Sequence, residues 1–355
     1  MHKIHKPSSI SLVRIAVAPR LTVMLYSAFL FIGSFILFMA PQAVYAASGP
    51  LSDSLNDTIT VRRPSNPEMR VLLGDALDDA QENQFTANGK FVVEDSEGTI
   101  LSVFRKNKIA RITHEDGVYT LLRPKRGDIT SELPLRVTTV KMKKKVTALT
   151  YENRPGWNEE LNDNTFFGSV EVIWSDNSEQ LILVNQLGIE KYIRGIGEAG
   201  NENDADYLQA LLTAARTYAY WHISNPSKHA DEPYILSATA NDQVYIGASF
   251  TERAPNIKAA QIATKKKVIT YDGDLIIAAY FSQSDGRTRS WDEVWYGEYP
   301  WAVSVDDPCC EGSTQLGHGV GLSAVGARYF ADEEGWGWKK ILKYYYTGVD
   351  IVNGY

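Results

Sequence analysis

The side chains best placed to do chemistry fall in three glycine-bearing segments. The first is Tyr192-Ile193-Arg194-Gly195-Ile196-Gly197-Glu198-Ala199-Gly200-Asn201, a bend carrying one acid. The second is Ser282-Gln283-Ser284-Asp285-Gly286-Arg287-Thr288, and the third is Gly317-His318-Gly319-Val320-Gly321. Glycines on either side of a polar side chain let a ligand or another stretch of backbone come close, which is what loops that host sites need. Tight turns without a site make the same spacing, so spacing alone reads His318 both ways. The adjacent thiols Cys309 and Cys310 allow a vicinal disulfide, a bridge to another chain, a metal site with His318, or a reduced pair. Two sulfurs and one imidazole leave a tetrahedral ion a ligand short, which weighs against the metal.

These segments need elements to hold them. Asp204 is placed to cap a helix in which Leu208, Leu211, Leu212, Ala215, Tyr218, Ala219 and His222 recur at helical spacing until Asn225-Pro226 stops it. A shorter helix is predicted over Pro255–Thr264, with proline in its first turn. Val268–Tyr271, the turn Asp272-Gly273 and Leu275–Ser282 read as a hairpin whose apolar second arm should be a buried central strand. Val320–Ala331 and Trp338–Tyr346 read as two helices, with Gly348 closing the last. Upstream, Val71–Gly74, Lys90–Val93, Thr99–Phe104, Ile109–Thr113 and Val118–Arg123 are β-rich runs punctuated by Asn-Gly, Glu-Gly and Asp-Gly turns, and Ser169–Trp174 and Gln180–Gln186 form a further β-unit. Lys141, Lys143, Lys144 and Lys145 read as a charged strand edge rather than a binding patch. The fold class is α+β: a β-rich N-terminal part with hairpins (69–165), then a mixed core (166–355) with a long helix after Glu198.

The first 46 residues carry Lys3, Lys6, Arg14 and Arg20, no acid, and the uncharged run Leu21–Ala40, ending in Val44-Tyr45-Ala46. That is a targeting segment, read as a secretory signal cleaved after Ala46 or, given twenty apolar residues, as an uncleaved membrane anchor. In both cases Ala47 onward lies outside the cytoplasmic membrane, and the polar stretch 47–68 is a tether. The chain of 355 residues has a formal charge of -7, which becomes -11 without those four basic residues. A surface of that sign disfavours nucleic acid as a partner. Two cysteines give no disulfide framework, and a chain of this size needs none. The 19 tyrosines and eight tryptophans suit either a β-rich core or stacking against sugars.

Taken in order, the segments resemble a known family. Tyr192–Gly200 followed by Leu208–Ala219 resembles the signature of the stage II sporulation protein D family, the SpoIID/LytB domain. So do Asp242-Gln243-Val244-Tyr245, Ala279-Tyr280-Phe281-Ser282 with its loop, Gly317–Ser323 with Gly326-Ala327, and Tyr344-Tyr345-Tyr346-Thr347-Gly348. The β-rich stretch from Met69 looks like the family's usual leader. The resemblance implies peptidoglycan as substrate and a lytic transglycosylase reaction, cutting the bond between N-acetylmuramic acid and N-acetylglucosamine and leaving a 1,6-anhydro end. Glu198 falls on the family's catalytic glutamate. Ordinary glycosidases need two carboxylates, but with the sugar's own C6 hydroxyl as nucleophile one glutamate serves twice, as acid and then as base. Gln243, Tyr245, Ser282, Ser284 and His318 are the expected substrate-binding residues, with Trp291 and Trp295 as stacking surfaces. Arg216, on the apolar side of the long helix, is read as pairing with a carboxylate, and His222 and His229 as core or surface residues.

Two departures from the family pattern matter. Where the family has Glu-Met-Pro this chain has Glu198-Ala199-Gly200, which changes the bend after the acid. The Cys and His zinc ligands that some members carry are lacking in the Ser282–Thr288 loop, so neither metal nor cofactor is expected. Part of the family is described as amidase enhancers, and the altered bend keeps open a second reading, a non-catalytic wall-binding module that activates a cell-wall amidase. A lectin-like sugar binder has only the aromatic content behind it.

Overall fold

The computed structural model describes Val61 and residues 65–355; the expected signal or anchor and most of the tether lie outside the described residues. The chain from Glu68 runs through β1 (Glu68–Asp75), β2 (Asn83–Ala87), β3 (Phe91–Asp95), β4 (Ile100–Phe104), β5 (Ala110–Glu115) and β6 (Val118–Leu122). It continues through β7 (Ile129–Ser131), β8 (Leu135–Thr139), β9 (Lys145–Ala148), β10 (Thr165–Phe167), β11 (Ser169–Ser175) and β12 (Gln180–Gly188). β5 and β6 meet at Asp116-Gly117, both at positive φ, which is the backbone that a two-residue hairpin turn demands. β1, β2 and β5 alternate buried and part-buried residues, as the two-residue period of a pleated strand requires. Their buried members, among them Met69, Phe85 and Ile112, belong to one hydrophobic cluster with Val137 of β8 and Val172 of β11.

Two large sheets result. One has seven strands in the order β13-β1-β12-β11-β8-β3-β4, where β13 is Leu236–Ser237; the other has six, β10-β9-β2-β5-β6-β7. Strands from before residue 166 and from after it therefore interleave in the first sheet, and the described residues from 65 onward lie in one compact unit. The lysines at 141–144 occupy the turn between β8 and β9 instead of the sheet edge expected of them, because β9 is an inner strand paired with β10 and β2.

β12 delivers the chain into α1 (Ile189–Arg194) and the glycine bend, and α2 (Ala205–Ser224) follows as expected. Asp204 caps α2 by accepting from the Asp206 and Tyr207 amides at 2.7 and 3.4 Å. Twenty residues make α2 about 30 Å long. Leu208, Leu211, Ala215 and Ala219 are buried along it, against α4 (Pro255–Ala263), α5 (Ala324–Asp332), α6 (Trp338–Tyr345) and β14 (Lys267–Tyr271). Truncating a leucine such as Leu208 in such packing costs about 2–5 kcal/mol. A short α3 (Ala248–Arg253) precedes α4.

The sequence expectation fails at Leu275–Ser282. This arm is two strands and not one: β15 (Asp274–Leu275) pairs with β14, and β16 (Tyr280–Phe281) pairs in parallel with β17 (Leu322–Ser323). Between them the Ala279 carbonyl accepts from the Tyr346 hydroxyl at 2.7 Å and the Leu322 amide at 3.2 Å, which draws the chain into the second pairing. The helix expected from Val320 starts only at Ala324 for the same reason. Gly321 sits at φ +77, and a Cβ there would lie 2.0 Å from the Ala279 oxygen, so Val320–Ser323 stays out of the helix and Ser323 caps α5 through the Gly326 amide. The final strand, β18 (Asp350–Asn353), pairs with β14. Among the described residues no helix is long and apolar enough to cross a membrane.

Candidate active site

Glu198 is positioned by backbone before any side chain is involved. Gly195 and Gly197 are not at positive φ; they are needed because residues 244–246 press against them. A Cβ on Gly195 would lie 2.5 Å from the Tyr245 ring, and one on Gly197 would lie 2.2 Å from Ile246. The approach lets the Gly197 amide donate to the Val244 carbonyl at 2.9 Å and the Ile246 amide to the Gly195 carbonyl at 2.8 Å. With the two segments clamped, the Val244 amide donates to Glu198 Oε1 at 2.9 Å.

The other carboxylate oxygen, Oε2, accepts from the Tyr280 hydroxyl. Tyr280 is itself held: Gln243 Nε2 donates to its oxygen at 2.9 Å and to the Ala215 carbonyl at 3.1 Å, while the Tyr192 hydroxyl donates to Gln243 Oε1 at 2.8 Å. Every group in this chain is neutral. Among the described residues no cation offsets the burial of Glu198, which pushes its carboxyl up to about 7 against the two hydrogen bonds from Tyr280 and Val244. At neutral pH the group is divided between its acid and base forms, the condition a proton-transfer residue needs.

Glu198 opens onto a groove of about 770 Å³. Its walls are aromatic. On one side Trp295 lies 4.6 Å from Trp291 and 4.7 Å from the His318 ring, centroid to centroid, and His318 is 5.6 Å from Phe281. On the other, His222 packs 4.5 Å from Tyr218 and 4.9 Å from Trp221. Burial pushes both His318 and His222 down to about 4, so the imidazoles are neutral at neutral pH. His318 Nδ1 accepts from the Val320 amide at 3.1 Å.

Asp242 is the second carboxylate of the groove, but it is already engaged. It pairs with Lys228 and accepts from His229 Nε2 at 2.9 Å and the Ser237 amide at 2.7 Å. Burial would raise it, yet these partners hold it below the usual carboxylate range. The groove therefore contains one protonatable acid at neutral pH and one committed anion.

Of the residues expected to touch substrate, Ser282 and His318 line the groove, as do Trp291 and Trp295. Gln243, Tyr245 and Ser284 lie behind its wall. Gln243 is fully buried and reaches the groove only through Tyr280. Tyr245 donates to Asn185 Oδ1 at 2.8 Å and stacks on Tyr192. Ser284 is fully buried and donates to Asp307 Oδ2 at 2.7 Å, so the 282–288 loop contributes its first residue to the groove and turns its second serine inward. Arg216 pairs with a carboxylate as expected: fully buried, it contacts Glu190 at 3.3 Å.

Among the groove residues given no role from sequence are Tyr280, Trp221 and Lys228. Tyr280 was within reach as a member of the Ala279–Ser282 segment, all four residues of which line the groove. His222, read as core or surface, is buried and also faces the groove.

His318 stands apart from the cysteines. Asp307, Cys309 and Cys310 bring a carboxylate oxygen and two sulfurs within 4.8 Å of one another. Asp307 is occupied, however: Oδ2 accepts from Ser284, and Oδ1 from Tyr345 at 2.8 Å and from the Cys309 thiol at 3.8 Å. Burial pushes the Cys309 thiol up, away from the thiolate a metal requires, and both cysteines are free.

Residues 177–271, which include the glycine bend, α2 and the Asp242–Tyr245 segment, match the family model described as stage II sporulation protein. The chain is 29% identical over 139 residues to stage II sporulation protein D of Bacillus subtilis, covering 35% of this chain and 40% of that protein. It is 34% identical over 100 residues to the amidase enhancer of the same organism, 28% of this chain and 12% of that one. An uncharacterized protein of Brachyspira hyodysenteriae is 30% identical over 186 residues, 51% of this chain and 47% of its own length. Over residues 177–271 these similarities bear out the resemblance to the SpoIID/LytB family. It spans less than half the length of each of these relatives.

Proposed function

We propose that this protein acts on the bacterial cell wall as a peptidoglycan lytic transglycosylase, with Glu198 as its single acid/base. One observation carries the reading. Glu198, raised to about 7 by burial, opens onto an aromatic-walled groove in which the other carboxylate is tied to Lys228. A glycan strand stacks its apolar sugar faces on Trp291 and Trp295. Protonated Glu198 delivers its proton to the glycosidic oxygen, and the C1–O bond breaks as positive charge builds on the muramyl ring. The ring's C6 hydroxyl then attacks C1 and returns its proton to the Glu198 carboxylate. The product is a 1,6-anhydro end, and the residue is restored to its starting form. In between, the Tyr280 hydroxyl and the Val244 amide stabilise the carboxylate left by proton delivery. With the targeting segment removed or anchored, the domain works outside the cytoplasmic membrane.

A second reading is favoured by a specific similarity, that to a protein named an amidase enhancer. In it the groove binds peptidoglycan without cutting, and an amidase is the partner. Incubating wild-type protein and the Glu198→Gln variant with glycan strands, with and without stem peptides, separates the two readings by mass spectrometry. Anhydro-ended fragments from wild type alone support the transglycosylase. No fragments from either, with amidase stimulation retained by both, support the enhancer. Equal product from both proteins removes Glu198 from the mechanism.

A further inference from the structure

A second cavity, of about 380 Å³, shares no lining residue with the groove. It lies where β12 enters α1, and its rim includes Ser65 and Asn66. Four cations surround it: Lys191, Arg194, Lys265 and Lys266. The two acids in its lining do not balance them. Glu190 is buried and spent internally, receiving Arg216, the Gln261 amide group, the Lys266 backbone amide and the Tyr355 hydroxyl. Glu68 accepts from Gln186 at 3.0 Å.

The cations, by contrast, make no direct ion pair with a carboxylate among the described residues, although the Glu190 charge acts on Arg194 from a distance. Arg194 Nε donates to the neutral Gln261 Oε1 at 2.5 Å, and its two terminal nitrogens are left over. Lys191 donates to the Met142 carbonyl and lies 4.4 Å above the Phe167 ring. It stands one helical turn from Arg194, so like charges share one face of α1. Lys266 sits 5.8 Å from the Tyr355 ring and Lys265 is exposed. Lys266 also adopts φ +63, a left-handed conformation that glycine or asparagine ordinarily takes. A lysine there carries its charge to the cavity from a strained backbone position.

We infer that this cavity is an anion-binding site for a phosphate ester, gripped by the terminal nitrogens of Arg194 and the ammonium groups of Lys191, Lys265 and Lys266. The donor set selects this chemistry. A guanidinium fork with flanking ammonium groups matches the oxygens of a phosphate, and the cavity volume takes the phosphate with a glycerol-sized group attached. Such esters reach a protein outside the membrane either free or as lipid headgroups.

The test uses the full chain at pH 7. Unfolding temperature is followed against sodium phosphate, with sodium chloride at matched ionic strength as reference. The variant is Lys265→Ala/Lys266→Gly, which removes two charges, relieves the strained backbone and keeps the residue 266 amide that bonds Glu190. A saturable rise with phosphate in wild type, with affinity at least tenfold weaker in the variant, supports the site. sn-Glycerol 3-phosphate and phosphatidylglycerol vesicles are then offered as competitors. Displacement by the first alone supports a free ester, and displacement by both supports a lipid headgroup. No saturable response in wild type, or an equal one in the variant, overturns the proposal. Because neither lysine touches the groove, glycan cleavage is read in parallel and should be unchanged; its loss or absence bears on the Glu198 mechanism and not on this site.

Discussion

Glu190 and Glu198 stand eight residues apart and are both withdrawn from solvent, yet the fold treats them in opposite ways. Glu190 faces Arg216, a fully buried cation, and three further donors, so its charge is part of the packing between α1, α2 and α4. Glu198 receives two neutral donors and no cation, and burial pushes it up to about 7. The difference is made by partners and not by residue type. A buried carboxylate with a countercharge is a fixed structural anion, and one without a countercharge can give up and take back a proton at neutral pH.

Exchanging each glutamate for glutamine should separate these roles. Glu198→Gln is expected to fold and to lose anhydro-product formation by about 10³-fold or more, the scale of a removed acid/base group. Glu190→Gln leaves Arg216 buried without its charge partner and should destabilise the fold by about 3–5 kcal/mol, read from urea midpoints. A Glu190→Gln protein as stable as wild type would erase the contrast.

The stability of Glu198→Gln sharpens it further. The folded value of about 7 lies above the ordinary glutamate value of 4.5, so the burial penalty is absent below about 4.5, grows as pH rises and is full above 7. At pH 8 the variant should be more stable than wild type by about 2 kcal/mol, after allowance for partial solvent access, and at pH 4 the two should coincide. A smaller effect is expected from Tyr280→Phe, which removes one of the two hydrogen bonds that favour the carboxylate. The rate should drop about tenfold, and the Glu198 titration should move to higher pH. The smallest belongs to Ser284→Ala, which loses a buried hydrogen bond to Asp307 worth about 1 kcal/mol in stability. Its KM should match wild type, whereas a raised KM would return Ser284 to the groove.

Much of the fold was legible because its signals are local. Asp204 and Pro226 bracket α2, and Asp272-Gly273 and Asp116-Gly117 mark their turns by residue type alone. The glycines around Glu198 read as permitting a close approach, and the structure puts residues 245 and 246 in that space. What stayed hidden depends on distant partners. The Leu275–Ser282 arm looks like one apolar strand until Tyr346 and Leu322 claim the Ala279 carbonyl. Ser282 and Ser284 look equivalent until Asp307, more than twenty residues away, takes one of them inward. Gln243 and Tyr245 carry polar tips whose partners, Tyr280, Tyr192 and Asn185, lie on other elements, so sequence marks them as important without telling support from contact.

The most direct test of the central claim is the pH dependence of kcat/KM for anhydro-end formation by the wild-type protein. With Glu198 acting first as an acid, activity should hold below neutrality and fall as pH rises through about 7, with that limb displaced upward in Tyr280→Phe. A rate that stays level through pH 7, or a falling limb that Tyr280→Phe leaves in place, would contradict the account.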